Sequence, residues 1–186
     1  MKTFANLTLY APGIVLFDPQ TLLAFLQRLG IEPSNVFELF INDQVVGNQA
    51  IRQGVIFPLY EIPEGDYTVF SEAGKNMPKA ACPHFTCTGA PLHITSGILI
   101  TADLGALMEW EPQYFGNYLA NYEDRLNNND YLEVPTGKYL VNISGYSGLE
   151  APLHPRGYGL RFNPVQQLPD TLPDEDFDFS LEGAMQ

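Results

Sequence analysis

Residue types that ligate metals crowd together at one place in the chain, Cys82-Pro83-His84-Phe85-Thr86-Cys87. Zinc needs about four such ligands in tetrahedral array, so His93 or His154 would have to complete the set. The spacing is not that of a Cys-x-x-Cys pair, Pro83 constrains the approach, and Cys82 and His84 alternate like one face of a strand. Structural residues are therefore expected here, with no metal and no cofactor. Nucleophilic catalysis needs a nucleophile, a base and an orienting group within reach of one another. Gly145-Tyr146-Ser147-Gly148 lacks one spacer of the Gly-x-Ser-x-Gly elbow, and a Gly/Ser turn accounts for it. None of His84, His93 and His154 lies in a motif that specifies a catalytic geometry. Asp18 and Asp103 open two similar segments and read as helix caps rather than as an acid–base pair. A Gly-rich phosphate loop followed by Lys-Ser/Thr is missing. No catalytic residue is assigned, and the chain is expected not to be an enzyme.

A different chemistry stands near the carboxyl end. Asp174, Glu175, Asp176, Phe177, Asp178 and Phe179 interleave carboxylates with two aromatic rings. Such a segment can offer negative charge to a basic cleft while the rings act as anchors. These six residues are the candidate partner-binding site. Charge points the same way: 22 acidic residues against nine basic ones give a net charge of −13. Nucleic acid is disfavoured as a partner, because affinity for phosphate comes mainly from Lys and Arg. An anionic membrane surface is disfavoured for the same reason. A basic protein partner is permitted, since complementary fields speed encounter, while the same charge can serve solubility alone.

The elements that would position these residues are mostly strands. Aromatic residues make up 12% of the chain, and 15 Pro with 16 Gly imply many turns and few long helices. Leu7-Thr8-Leu9-Tyr10 alternates, and Ile14-Val15-Leu16-Phe17 is a continuous apolar run, as in a strand covered on both faces. Asp18, Pro19 and Gly30 bracket one helix. Val36 to Ile41 and Val45-Val46, separated by Asn42-Asp43-Gln44, read as a hairpin. Gly54 to Tyr60 is a strand that Pro58 assigns to an edge or bulge. Gly74 to Pro83 reads as a loop. Strands follow at Leu92–Thr95, Ile98–Ile100 and Tyr158–Phe162, and a helix is expected within Gln113–Leu126.

Two turns share a pattern: Ile62-Pro63-Glu64-Gly65-Asp66-Tyr67 and Val134-Pro135-Thr136-Gly137-Lys138-Tyr139, their tyrosines 139 − 67 = 72 residues apart. Each feeds a strand, and similar strand–helix openings precede both. The expected architecture is a mainly β, α+β fold, with two related antiparallel-sheet halves forming a β-sandwich and one or two short helices. Residues 1–165 would form one domain with an internal duplication (about 1–75 and 88–145), and residues 166–186 an acidic Pro-rich tail, extended or mobile when free.

The twin Pro-x-Gly-x-Tyr turn–strand segments resemble those of bacterial nuclease-inhibitor and toxin-immunity proteins, in particular the competence nuclease-inhibitor family. The resemblance implies a non-catalytic binding protein, an inhibitor or immunity protein that neutralises a basic toxin such as a nuclease. The motif is scaffold, so no functional residue carries over from it. A structural or assembly module of a phage or secretion apparatus is the alternative. The Met1–Asn6 segment lacks a signal-peptide pattern, no stretch reaches about 20 apolar residues, and two cysteines suit a reducing compartment, so the cytoplasm is the expected location. Function is expected on surfaces the two halves do not share: the Cys82–Cys87 loop, the Tyr/Asn-rich stretch after Trp110, and the tail.

Overall fold

Alternating and fully buried strands sort the chain into three layers. A computed structural model describes residues 1–73, 82–172, 174 and 176–181. Its strands are β1 (Phe4–Leu9), β2 (Gly13–Phe17), β3 (Ile56–Tyr60), β4 (Gly65–Ser71), β5 (Phe85–Ile94), β6 (Ile98–Asp103), β7 (Asn129–Glu133), β8 (Gly137–Ser147) and β9 (Arg156–Val165). The helices are α1 (Pro19–Leu29), α2 (Val36–Asn42), α3 (Gln44–Arg52), α4 (Gly105–Met108) and α5 (Pro112–Gly116). One sheet has the order β1-β4-β9-β8-β5 and the other β3-β2-β6-β7. The fold is mainly β, with two packed sheets and short helices.

Strand chemistry explains the layers. In β1, Ala5, Leu7 and Leu9 are buried and alternate with half-buried residues, as a strand with one covered face requires. β2 is buried throughout: Ile14 and Leu16 enter the core between the sheets, while Val15 and Phe17 face the helical layer. β6 divides likewise, Leu99 inward and Ile98, Ile100 and Ala102 toward the helices. The central strands of the smaller sheet are therefore covered on both sides. Pro58 lies on β3, an edge strand, where its missing N–H costs no ladder bond.

The stretches β1β2…β3β4 and β5β6…β7β8 run the same course. Each gives its outer strands to the five-stranded sheet and its inner strands to the four-stranded one. The sheets thus do not correspond to the stretches; β2 and β6 meet in the middle of one sheet, and β9 lies between β4 and β8 in the other. All pairings are antiparallel except β4 with β9. The twin motif has a shared purpose in the scaffold. The Tyr67 hydroxyl donates to the Pro63 carbonyl at 2.9 Å, and the Tyr139 hydroxyl to that of Pro135 at 2.9 Å. Gly65 and Gly137, both at positive φ, let the chain fold back far enough for those bonds to close.

Four expectations need correction. The hairpin over residues 36–46 is the helix pair α2–α3. The Asn35 side chain accepts from the Glu38 amide at 2.8 Å and caps α2, and Asp43, expected in the turn, accepts from the Val46 amide at 3.1 Å and caps α3. Gly47 lets the helices touch: a Cβ there would stand 2.5 Å from the Phe40 carbonyl oxygen. The helix expected within 113–126 ends at Gly116, followed by a single 3₁₀ turn, Tyr122–Asp124. Residues 144–147 belong to β8, and the turn begins only at Gly148. The tail, finally, is docked: Phe179 and Leu181 are buried in the intersheet core, and Phe177 is partly buried against it. The loop expected at 74–83 falls outside the described residues except for Cys82 and Pro83.

Candidate functional site

The Tyr/Asn-rich stretch after Trp110 builds a cleft against the β1–β2 turn. Its inner side is an aromatic column. The Trp110 and Phe115 rings stack at 4.9 Å, Phe115 and Tyr118 lie parallel at 6.1 Å, and Tyr114, Tyr122 and Tyr131 meet them edge-on. The hydroxyls end on β7. Tyr118 donates to Asn129 Oδ1 at 2.8 Å and Tyr122 to Asp130 Oδ1 at 2.8 Å. Burial pushes the Tyr118 and Tyr114 phenols above their ordinary range. Tyr122 is pushed up to about 12, by burial first and then by its bond to the Asp130 carboxylate. These phenols stay protonated donors at neutral pH and hold an otherwise irregular segment in place.

On its outer side this segment encloses a cleft of about 470 Å³. Carboxylates of Asp103, Glu109, Glu111 and Asp124 line it, with Tyr10 and Tyr114 as aromatic walls and Leu126 at the rim. Tyr10 and Leu126 are large apolar residues left exposed. Asp103 is 1% exposed and, among the described residues, accepts only from neutral donors, the Tyr10 amide at 3.1 Å and the Asn128 side chain at 3.4 Å. It is not the helix cap expected from sequence: α4 starts after Leu104 without a side-chain cap. Asp18 does cap α1, accepting from the Thr21 amide at 2.9 Å.

Charge compensation separates the cleft from its surroundings. Asp130 is met by Lys2 Nζ at 3.2 Å, Glu72 by Arg161 at 3.1 Å, and Glu133 by the terminal amine at 3.5 Å. Among the described residues, no ion pair involves Asp103, Glu109, Glu111 or Asp124. Arg125 is adjacent in sequence, but its guanidinium lies 3.9 Å from the centre of the Tyr122 ring and donates to the Tyr122 carbonyl. A concave, uncompensated acidic site with aromatic walls suits a guanidinium or ammonium group, drawn by carboxylates and ring faces together.

The residues singled out from sequence are distributed differently. Asp174, Asp176 and Asp178 are exposed, whereas Phe179 is 4% exposed and packs on Phe57 and Phe85. Phe177 contacts Phe85 and Phe179. The Tyr158 hydroxyl donates to the Phe179 carbonyl at 2.8 Å. The rings thus anchor the segment to its own core, leaving the carboxylates outward; Glu175 lies outside the described residues. Cys82 is exposed and Cys87 buried, with burial raising the Cys87 thiol. Among the described residues, no group of three or more His, Cys, Asp or Glu could hold a metal ion. His84 Nε2 and Ser147 Oγ do meet, at 2.6 Å, on the exposed surface. Among the described residues His84 makes no further side-chain hydrogen bond, so the pair has no orienting group. No described helix is long and apolar enough to cross a membrane.

No protein-family model matches the chain, and no curated protein matches it. Two solved structures follow a similar course. The product of crocagin biosynthetic gene J matches at TM-score 0.47 and 16% identity, over 89% of this chain and 98% of that one. ComJ, inhibitor of the DNA degrading activity of NucA, from Bacillus subtilis, matches at TM-score 0.42 and 10% identity, over 87% and 95%.

Proposed function

We propose that this chain is a non-catalytic binding protein that neutralises a basic protein, a toxin such as a nuclease, by presenting the cleft of Asp103, Glu109, Glu111 and Asp124 to a basic side chain of that partner. The four uncompensated carboxylates, held around a concave aromatic site, are the observation that carries the proposal. The exposed Asp174, Asp176 and Asp178 extend the acidic surface available to such a partner. A long-range field from a net charge of −13 would speed the encounter, and the cleft would supply register. The recurring strand order and twin Pro-x-Gly-x-Tyr turns belong to the same proposal, as an internal duplication that supplies the scaffold, while the unshared 103–129 segment supplies the binding surface.

Affinity capture tests this with the full chain as bait in lysate from its source organism. A basic protein should be retained at low salt and released as the Debye length shortens from ~10 Å toward ~3 Å. It should be lost from a bait carrying E109Q, E111Q and D124N, which is expected to remain folded because all three residues are exposed. Capture that is equal on both baits, or of no basic protein at all, would refute the proposal. A catalytic role for His84 or Ser147 would instead appear as an activity removed by H84A or S147A.

A further inference from the structure

The chain has nine basic residues against 22 acidic ones, and three of the nine converge on one cleft. Arg28 at the end of α1, Arg52 at the end of α3 and Lys138 at the start of β8 line a cavity of about 640 Å³, together with His93 near the end of β5. Among the described basic side chains Lys2 and Arg161 form ion pairs with carboxylates and Arg125 and Arg156 lie over tyrosine rings, whereas none of Arg28, Arg52 and Lys138 meets a carboxylate. Arg28 instead donates to a neutral partner, Gln53 Oε1, at 3.0 Å. Two acids are close. Asp18 is fully buried and already accepts five hydrogen bonds, from Thr21, Thr95 and Ser96. Asp170 lines the cleft and, among the described residues, forms no ion pair. Like charges gathered without neutralisation repel one another, and an anion seated among them relieves that repulsion.

We propose that this cleft is a binding site for a small multivalent oxyanion of the phosphate class. Two guanidinium forks and one ammonium suit tetrahedral phosphate, which arginine can grip in bidentate fashion and lysine as a point charge. Gln49, Gln53 and Gln167 line the same cleft and add neutral amide donors. No aromatic side chain lines it apart from the His93 imidazole, so the walls hold no ring platform on which a nucleobase would stack. The site lies on residues distinct from those of the acidic cleft and does not depend on the partner proposed there.

His93 supplies a reporter. Its pKa is lowered by burial first and by Lys138 and Arg28, with Asp18 acting in the opposite direction. A bound anion would offset the two cations and move it upward. The experiment titrates inorganic pyrophosphate into the full chain by calorimetry at fixed ionic strength, and follows the His93 ring proton by NMR across pH with and without it. Saturable binding with a dissociation constant under about 1 mM is expected, with an upward shift of the His93 pKa on saturation. R52Q together with K138Q should weaken binding by at least tenfold, and K2Q, whose residue lies outside the cleft, should leave it unchanged. Citrate distinguishes the oxyanion classes: pyrophosphate should bind more tightly. No saturable pyrophosphate binding, binding unaffected by the double substitution, or tighter binding of citrate would overturn the assignment.

Discussion

Asp18 and Asp103 hold comparable places in the two stretches, each near the end of a buried central strand, yet their surroundings predict opposite consequences of mutation. Asp18 joins the start of α1 to the β5–β6 turn: Oδ1 accepts from the Thr21 amide at 2.9 Å, and Oδ2 from the Thr95 amide at 2.9 Å and from the Ser96 amide and hydroxyl at 2.7 Å each. Asp18→Ala removes a cap worth about 1 kcal/mol. It also leaves two loop amides without their acceptor, at about 1–3 kcal/mol each where they stay dry. Because the terms share one side chain and are not additive, a loss of about 4 kcal/mol is expected, a large part of the ~5–15 kcal/mol that holds a domain together. Asp18→Asn should cost about 3 kcal/mol, since one acceptor oxygen cannot serve both the helix and the turn. Asp103→Asn should cost under about 1.5 kcal/mol, because only two neutral donors, one of them at 3.4 Å, face that carboxylate. Urea unfolding followed by far-ultraviolet circular dichroism and by the fluorescence of Trp110, which is buried and the chain's single tryptophan, measures all three. The reasoning fails if Asp18→Ala lies within about 1 kcal/mol of the parent, or if Asp103→Asn costs as much as Asp18→Ala.

Thr101 Oγ1 is the one buried side-chain polar atom among the described residues with no hydrogen-bond partner, so Thr101→Val should leave stability unchanged or raise it by up to about 1 kcal/mol in the same assay. Phe179→Ala should cost about 3 kcal/mol by emptying a site between Phe57 and Phe85; an unchanged urea midpoint would mean the segment is not docked in solution. Tyr122 and Tyr146 are both pushed up to about 12, by burial first and then by hydrogen bonds to Asp130 and Glu72. Since the unfolded phenol titrates near 10, the stability linked to them is complete below about pH 10 and is lost as pH rises from there through about 12. Absorbance at about 295 nm should show the Tyr122 signal arriving only well above pH 10, together with unfolding.

Most strands were legible because their patterns follow from the layer they occupy. The alternation at Leu7–Tyr10 marks one covered face, and the unbroken run Ile14–Phe17 marks two. α2 and α3 were not legible. Val36, Phe37, Phe40, Ile41, Val45 and Val46 have strand-like side chains, and the helical solution depends on two polar caps and on a close glycine contact between the two consecutive helices, which side-chain type alone does not signal. The cleft was partly legible. The stretch after Trp110 drew attention through its tyrosines and asparagines, but its carboxylates acquire meaning only beside Tyr10 and Asp103, which the fold brings from two other segments. The tail misled for a simpler reason: its Pro and acidic content suggests solvation, whereas Phe177, Phe179 and Leu181 recur at every second position and can line one buried face of an extended segment.

The placement of β9 has a consequence for how the chain is made. β9, the last of the described strands, lies in the middle of the five-stranded sheet, pairing with β4 on one side and β8 on the other. During synthesis both of those strands wait with unpaired hydrogen-bonding edges until residues 156–165 leave the ribosome. The five-stranded sheet, which both stretches share, cannot be completed beforehand, so its closure is a late, long-range event, of the kind that folds slowly and is exposed to premature strand pairing. Holding the nascent chain soluble through that interval would be one service of its abundant negative charge, quite apart from any partner it meets afterward.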